Sequence, residues 1–211
     1  RSPLKNEPDV GWELSKIEAN KVFHSLGGRK QKQGAHPLAM FLLASVASSK
    51  TSTPLNILSQ YEGVLIKRLE KELFNELYES ILDDDEKKML HMCAFYRDSI
   101  PDYHIDILNK SVVNNVFDQL VNRCLITPNK KQEWYYVHSI IADLTKTRIV
   151  SRSDAFFDIH EYIADAWLYQ IRNTGRLSIP NIRAASEAAY HLTEGECFER
   201  LDELARKTLG G

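Results

Sequence analysis

Apolar side chains recur every three to four residues along most of this chain, a pattern that predicts a mostly α-helical protein. The predicted helices have clear starts and stops. Ser15 and Asp83 each begin a capping box, in which a side-chain oxygen accepts a hydrogen bond from the backbone of the first turn. Pro37 stands at the first position of another helix, and Gly27 with Gly28 ends the helix before it.

The helical spacing is interrupted between residues 124 and 138. The segments CLITP and EWYYVH are rich in β-branched and aromatic residues, and the polar residues 129–132 separate them, so they predict a short β-hairpin. Three helices precede the hairpin, and the third is expected to be capped by Ser111 and to run to Arg123. This order of elements is that of a winged helix-turn-helix.

The end of the chain predicts one long helix and then a helical hairpin. The long helix begins after Ser153 and ends near Gly175, and a glycine-containing turn at residues 194–196 joins the two helices that follow. Small alanines on the first of these two helices suit a tight hairpin of the TPR-like or solenoid type. We therefore predict a helical-bundle domain, then a winged helix with a small β-hairpin, then the start of an α-solenoid.

The predicted elements divide the chain into five segments. They are a linker (1–10), a helical domain (11–61), a connecting helix (62–82), a winged helix (83–150) and a helical repeat-like region (151–211). A chain of 211 residues, 43% of them hydrophobic, is long enough to bury a core for more than one small domain. Its three cysteines form no C-x-x-C pair, which predicts free thiols in the cytoplasm.

The most apolar stretch of the chain is residues 35–47, within QGAHPLAMFLLASVASS. A helix needs roughly 20 apolar residues to cross a bilayer, and this whole stretch is only 13 residues long. It therefore predicts a buried helix that begins at Pro37, and no membrane partner is expected.

Winged helices often bind DNA, so the charge of this region bears on function. Residues 61–148 contain 12 Lys and Arg against 15 Asp and Glu, and the helix expected at residues 112–123 has Arg123 as its one cation. Binding to phosphates needs several cations on one face, so packing against neighbouring domains is favoured and DNA binding is the alternative. Histidines and cysteines show no second pair at zinc-ligand spacing, so no metal site is predicted.

Three stretches together resemble one protein family. LSKIEANKVFHSLGG is similar to the helix that leads into the family's helical domain, GAHPLAMFLLA to its GxPLA motif, and MLHMCAFYRDSIPDYHIDIL…YYVHSIIADL to its winged helix. The family is that of the STAND or NB-ARC P-loop ATPases. In these signalling switches a nucleotide-binding domain is followed by a helical domain, a winged helix and a repeat array.

The resemblance implies a nucleotide site. Pro37 would lie against the adenine of bound ADP or ATP, with His36 facing the nucleotide and Leu38 beside it. His138, in VHS where many family members have MHD, would reach the β-phosphate of ADP. A proline ring is a rigid apolar surface for a purine, and a histidine donates hydrogen bonds to phosphate.

The chain also departs from the family pattern. Ser139 replaces the usual aspartate, residues 29–34 form an insertion before the proline motif, and the motif G-x-x-x-x-G-K-[ST] is absent from the sequence. We therefore expect no enzymatic activity from this chain alone.

The function that the resemblance implies is the regulatory arm of a signalling or defence switch in the cytoplasm. The arm would hold ADP or ATP, with Mg²⁺ in the parent protein, against a P-loop ATPase domain in cis, and would control self-association. Repeats further along would sense a protein or a ligand. The alternatives are a winged-helix DNA-binding transcriptional regulator and a protein-interaction scaffold that binds no nucleotide.

Overall fold

The computed structural model describes residues 15–28, 36–110, 112, 116–129, 131, 133–174 and 179–209. Within them the protein is mostly helical with one small antiparallel sheet, which confirms the predicted fold class at that level. The helices are α1 (Lys16–Ser25), α2 (Pro37–Ser49), α3 (Pro54–Ser59), α4 (Ile66–Ser80), α5 (Asp84–Phe95), α6 (Asp102–Asn109), α7 (Val116–Asn122), α8 (Ser139–Lys146), α9 (Asp154–Thr174), α10 (Ile179–Glu194) and α11 (Phe198–Leu209). The strands are β1 (Ile100–Pro101), β2 (Ile126–Pro128) and β3 (Trp134–Val137). Features predicted outside the described residues are the linker 1–10, the insertion 29–34, the Ser111 cap and the helix end at Gly175.

Both predicted capping boxes are present. The Glu18 backbone N–H donates to the Ser15 hydroxyl at 3.3 Å, and the Ser15 N–H donates to the Glu18 carboxylate at 2.9 Å. Asp83 and Glu86 exchange the equivalent pair of bonds at 2.8 and 3.1 Å. These bonds satisfy first-turn N–H groups that have no partner inside a helix, which is why the sequence locates the helix starts well.

The described residues fall into two compact units. The first contains those up to Lys87 together with Asp118–Leu125, and the second contains Lys88–Phe117 and those from Ile126 onward. In the first unit α2 packs on α3 and α4, and α1 packs on α3. Buried aliphatic side chains of these four helices form its core, among them Leu42, Leu43, Val46, Ile57, Leu69, Leu73 and Leu77.

In the second unit a three-stranded sheet accompanies the long helices. The strand order is β1-β3-β2, and both pairings are antiparallel. α9 packs on α10 and on α6, and α10 packs on α11. The small residues Ala164, Ala184 and Ala188, from α9 and α10, are fully buried. The alanine pattern predicted a tight hairpin of α10 with α11, and that arrangement stays a prediction.

The sequence predicted a hairpin of two strands, whereas the sheet has a third strand, β1. Ile100 pairs with Tyr135, and Pro101 pairs with Trp134. A strand of two residues has no alternation to detect, and proline argues against a central strand. Pro101 is tolerated because β1 lies at the edge of the sheet.

Candidate functional site

The candidate site begins where α1 ends and α2 starts. Gly27 follows α1 with a positive φ of 83°, a conformation that glycine adopts without steric cost. The His36 backbone N–H donates to the Leu26 carbonyl at 2.9 Å, so the chain returns to the end of α1 before it enters α2. His36 is the N-cap residue in an extended conformation, and Pro37 is the first helical residue. The predicted start of this helix is confirmed.

One face of α2 is apolar and exposed. Pro37 is exposed, and one turn later on the same face Met40 and Phe41 have exposed fractions of 45% and 51%. The prediction that this apolar run is buried throughout is therefore wrong for Met40 and Phe41. A uniformly apolar helix gives no periodic signal for the side that faces the core. Leu38 is on the core side and is 4% exposed.

The side chain of His36 faces a buried carboxylate. Its Nδ1 atom lies 2.5 Å from Oε1 of Glu70, a residue of α4. The His36 side chain is 45% exposed, whereas that of Glu70 is 1% exposed. Among the described residues, Oε1 of Glu70 has no hydrogen-bond partner, so its contact with His36 is a close approach without hydrogen-bond geometry. Glu70 was not predicted, because no local spacing links a residue of α4 to the start of α2.

His138 lies in the second unit, as the N-cap residue of α8. Its Nδ1 atom accepts a hydrogen bond from the Ile140 backbone N–H at 3.3 Å. His138 and Ser139 are both exposed. The cap occupies Nδ1 and leaves Nε2 as the ring nitrogen for a ligand. The other three predicted site residues, His36, Pro37 and Leu38, lie together in the first unit.

Arg123, the cation of the expected DNA-recognition helix, is engaged inside the first unit. Its Nε–H donates to the Glu86 carboxylate at 2.8 Å, and a terminal N–H donates to the Ser49 hydroxyl at 3.0 Å. The Ser45 hydroxyl donates to the Arg123 carbonyl at 2.8 Å. The Glu86 side chain is 2% exposed, so Arg123 neutralises a buried charge. Removal of Arg123 would leave that charge without a partner and would be strongly destabilising.

A cleft of about 820 Å³ lies elsewhere in the first unit. Side chains of α1, α3 and the turn before α4 line it, including Ile17, Lys21, His24, Leu58, Tyr61 and Glu62. Its volume falls within the range of small-molecule sites. The described lining residues include none of those predicted to contact a nucleotide.

A search against protein-family models and a search of the curated proteins each return no match for this chain. Among the described residues, no three His, Cys, Asp or Glu side chains are grouped so that they could hold a metal ion. None of the helices that the structure describes combines the length and the hydropathy that a membrane crossing requires.

Three histidines lie in one aromatic core of the second unit, a feature that the sequence did not reveal. Nδ1 of His160 lies 3.0 Å from Nδ1 of His191, and Nδ1 of His104 lies 2.9 Å from the Tyr96 hydroxyl. The three Nε2 atoms have no hydrogen-bond partner among the described residues. Burial lowers the pKa of His104 and His191 to about 3 and that of His160 to about 4. All three rings are therefore neutral at pH 7.

Arg183 of α10 contacts both this aromatic core and the sheet. Its guanidinium carbon lies 4.7 Å from the ring centre of Trp134 and 5.7 Å from that of Trp167. The guanidinium also donates to the Asp98 carboxylate at 3.2 Å and to the Ser99 hydroxyl at 3.3 Å. Cation–π contacts and hydrogen bonds thus link the Arg183 side chain to β3, to α9 and to the two residues before β1.

Proposed function

We propose that this chain is the regulatory arm of a nucleotide-dependent signalling switch of the STAND or NB-ARC type. The arm holds ADP or ATP, with Mg²⁺ in the parent protein, against a P-loop ATPase domain in cis, and it controls self-association in the cytoplasm. A protein or ligand sensed by helical repeats shifts the equilibrium between the two nucleotide states, which is a known kind of switch. The chain itself supplies binding groups and no catalytic ones.

The observation that carries this proposal is the exposed apolar strip of α2, formed by Pro37, Met40 and Phe41. Large apolar side chains that share one exposed face are typical of a binding or packing surface. The Pro37 ring offers a rigid wall for a purine, and the first-turn N–H groups of Leu38 and Ala39 have no partner inside the helix. Leu38 thus takes part through its backbone. Met40 and Phe41, one turn further along, suit packing against the P-loop domain.

The order of elements supports interpreting the middle of the chain as a winged helix. α5, β1, α6, α7, β2 and β3 follow one another, and the sheet order is β1-β3-β2. In a winged helix the strand between the first two helices pairs with the hairpin that follows the third, as β1 does with β3 here. The α10–α11 pair likewise supports a repeat-like region.

His138 is proposed as the phosphate contact, and its cap defines the chemistry of that contact. Nδ1 accepts a hydrogen bond, so in the neutral ring the proton is on Nε2. Nε2–H is then a donor, which is the group that a β-phosphate oxygen requires. The exposed hydroxyl of Ser139 is a second donor beside it, in place of the family's aspartate.

The DNA-binding alternative is weakened by the contacts of Arg123. Its guanidinium is engaged by Glu86 and Ser49 of the first unit, so this cation is not presented to phosphates. The exposed Lys131 in the turn between the strands does not make a basic face by itself.

Replacement of Pro37 tests the proposal. Pro37→Ala should weaken ADP binding by the complete gene product roughly tenfold, about 1.4 kcal/mol, because alanine keeps the helix start and removes most of the ring surface. Pro54→Ala is the matched control, since it makes the same change at the start of α3, and it should leave the ADP affinity unchanged.

Calorimetric titration of ADP into the three proteins measures these affinities. Equal affinities for the wild type and Pro37→Ala would contradict the assigned site. A wild-type protein that binds no ADP and still self-associates would favour the nucleotide-free scaffold.

A further inference from the structure

The cleft of about 820 Å³ in the first unit has an apolar floor. Leu58 of α3 and Leu69 of α4 line it, with exposed fractions of 8% and 3%. The half-buried side chains of Leu55 and Val64 continue this surface. Aliphatic side chains favour contact with an alkyl chain or another apolar group, because the contact removes both surfaces from water. The cleft thus has the size and the lining of a site for a small organic molecule.

One wall of the cleft is a single face of α1. Ile17, Lys21 and His24 follow one another at intervals of four and three residues, so their side chains lie on the same side of the helix. The His24 Nδ1–H donates to the Gly28 carbonyl at 2.9 Å, which holds the ring at the end of the helix. Ile17 is 69% exposed, so it adds apolar surface at the rim of the cleft.

A second wall is the turn between α3 and α4. The Val64 backbone N–H donates to the Tyr61 carbonyl at 3.1 Å, and Gly63 takes the positive φ of 78° that a turn of this kind requires. This hydrogen bond makes the turn a defined element of the unit. The Tyr61 ring and the Val64 side chain belong to the lining, and Glu62 supplies the one carboxylate among the described lining residues.

Lys21 is the one permanent cation among the described lining residues. Its neighbour on α1, Glu18, accepts a hydrogen bond from the Ser15 N–H and is thereby directed to the helix start. The hydrogen bonds with Ser15 lower the pKa of Glu18 more than the charge of Lys21 does. No carboxylate of the described part of the chain forms a salt bridge with Lys21, so its ammonium can pair with an anion in the cleft.

We propose that this cleft binds a small amphiphilic carboxylate. The apolar body of the ligand lies on Leu58 and Leu69, and its carboxylate lies at the ammonium of Lys21. An anionic head is favoured on the α1 wall because the Asn20 amide and the Ser25 hydroxyl add hydrogen-bond donors to the lining there. The described lining includes no residue from the start of α2, so the inference does not depend on the proposed nucleotide contact.

Glu62 makes the sign of the ligand charge testable. This carboxylate repels an anion, so an anionic ligand binds more weakly without the charge of Lys21 and more tightly without the charge of Glu62. A cationic ligand shows the reverse pattern, and a zwitterion is weakened by both changes. A purely apolar ligand, or a segment of another protein that contacts only the floor, responds to neither. Only the first pattern agrees with the proposal.

Octanoate is the probe, and a chemical-shift titration of this chain follows its binding. The signals of Lys21, Leu58 and Val64 should shift together. Octanoate should bind up to about tenfold more tightly than hexanoate, because its two additional CH₂ groups are buried on the floor of the cleft. Octylammonium should bind more weakly than octanoate. The absence of any change at these residues with millimolar octanoate would overturn the proposal.

Substitutions of the two charged residues test the assigned head group. Lys21→Met removes the ammonium and keeps a side chain of similar length, so it should weaken octanoate binding roughly threefold to fivefold, and Glu62→Gln should strengthen it about twofold. Lys16→Met makes the same change on α1 outside the described lining and should leave the affinity unchanged. All three positions are exposed, so the fold should be retained. Equal octanoate affinities for the wild type and Lys21→Met would overturn the assignment of a carboxylate ligand.

Discussion

The three buried histidines should make the second unit sensitive to acid. Their pKa values of about 3 to 4 in the folded state lie below the value of about 6.5 expected for an unfolded chain. Between these pH values the unfolded chain binds protons that the folded chain does not. The free energy of unfolding therefore decreases as the pH falls from about 6.5 towards 4, by about 1.4 kcal/mol per pH unit for each histidine.

Replacement of one histidine isolates this effect. His104→Gln keeps a hydrogen-bonding partner for the Tyr96 hydroxyl but does not titrate, so it should reduce the pH dependence by about 1.4 kcal/mol per unit between about pH 6 and pH 4.5. The measurement is urea denaturation at several pH values. His24→Gln, at an exposed histidine, is the control and should keep the wild-type slope. An identical slope for His104→Gln would show that His104 is not a buried neutral group.

Residues were predictable from the sequence when their partners are close along the chain. Ser15, Asp83 and Pro37 act within one helical turn, and each was recognisable from its neighbours. Glu70 could not be predicted as the partner of His36, nor could the pairing of His160 with His191, because tertiary packing brings these residues together. The burial of Leu38, by contrast, was predicted with the apolar run to which it belongs.

At the scale of elements, two turns of the first unit contain a glycine in the left-handed backbone conformation. Gly27 and Gly63 have positive φ values of 83° and 78°. A Cβ at Gly27 would lie 2.4 Å from Cδ1 of Ile66, whereas a Cβ at Gly63 would have nothing within 4 Å. A side chain at either position would therefore require a left-handed backbone. Only at Gly27 would its Cβ also clash with a neighbouring side chain.

Alanine substitutions should separate these two costs. Gly63→Ala should destabilise the first unit by about 1 kcal/mol, the cost of a left-handed backbone for alanine. Gly27→Ala should cost about 2–3 kcal/mol, because Ile66 must also move. Urea denaturation of both variants measures the difference. Equal losses would mean that the side chain of Ile66 moves aside without cost when residue 27 has a Cβ.

Elements were predictable where local chemistry determines them. The helix that begins at Pro37 and those that follow Ser15 and Asp83 have the starts that the sequence indicated. β1 was not predictable, because its two residues are a strand only through their pairing with β3. The exposed strip of α2 was missed for a related reason, since exposure depends on which neighbouring helices cover a uniformly apolar surface.

At the scale of the whole molecule, the predicted domains are contiguous, whereas the compact units are not. Asp118–Leu125 belongs with the first unit although it follows thirty residues of the second, Lys88–Phe117. Contacts such as Arg123 with Glu86 account for this membership. Domains predicted as continuous segments of the sequence cannot describe a unit that contains two separate segments. The predicted boundaries at residues 83 and 150 stay predictions.

Chemical-shift mapping of this chain with millimolar ADP tests whether the start of α2 contacts a nucleotide. The largest changes should fall on the His36 ring signals and on the backbone N–H groups of Leu38 and Ala39. Changes confined to the cleft residues Lys21, His24 and Tyr61, or no changes in the first unit, would contradict it.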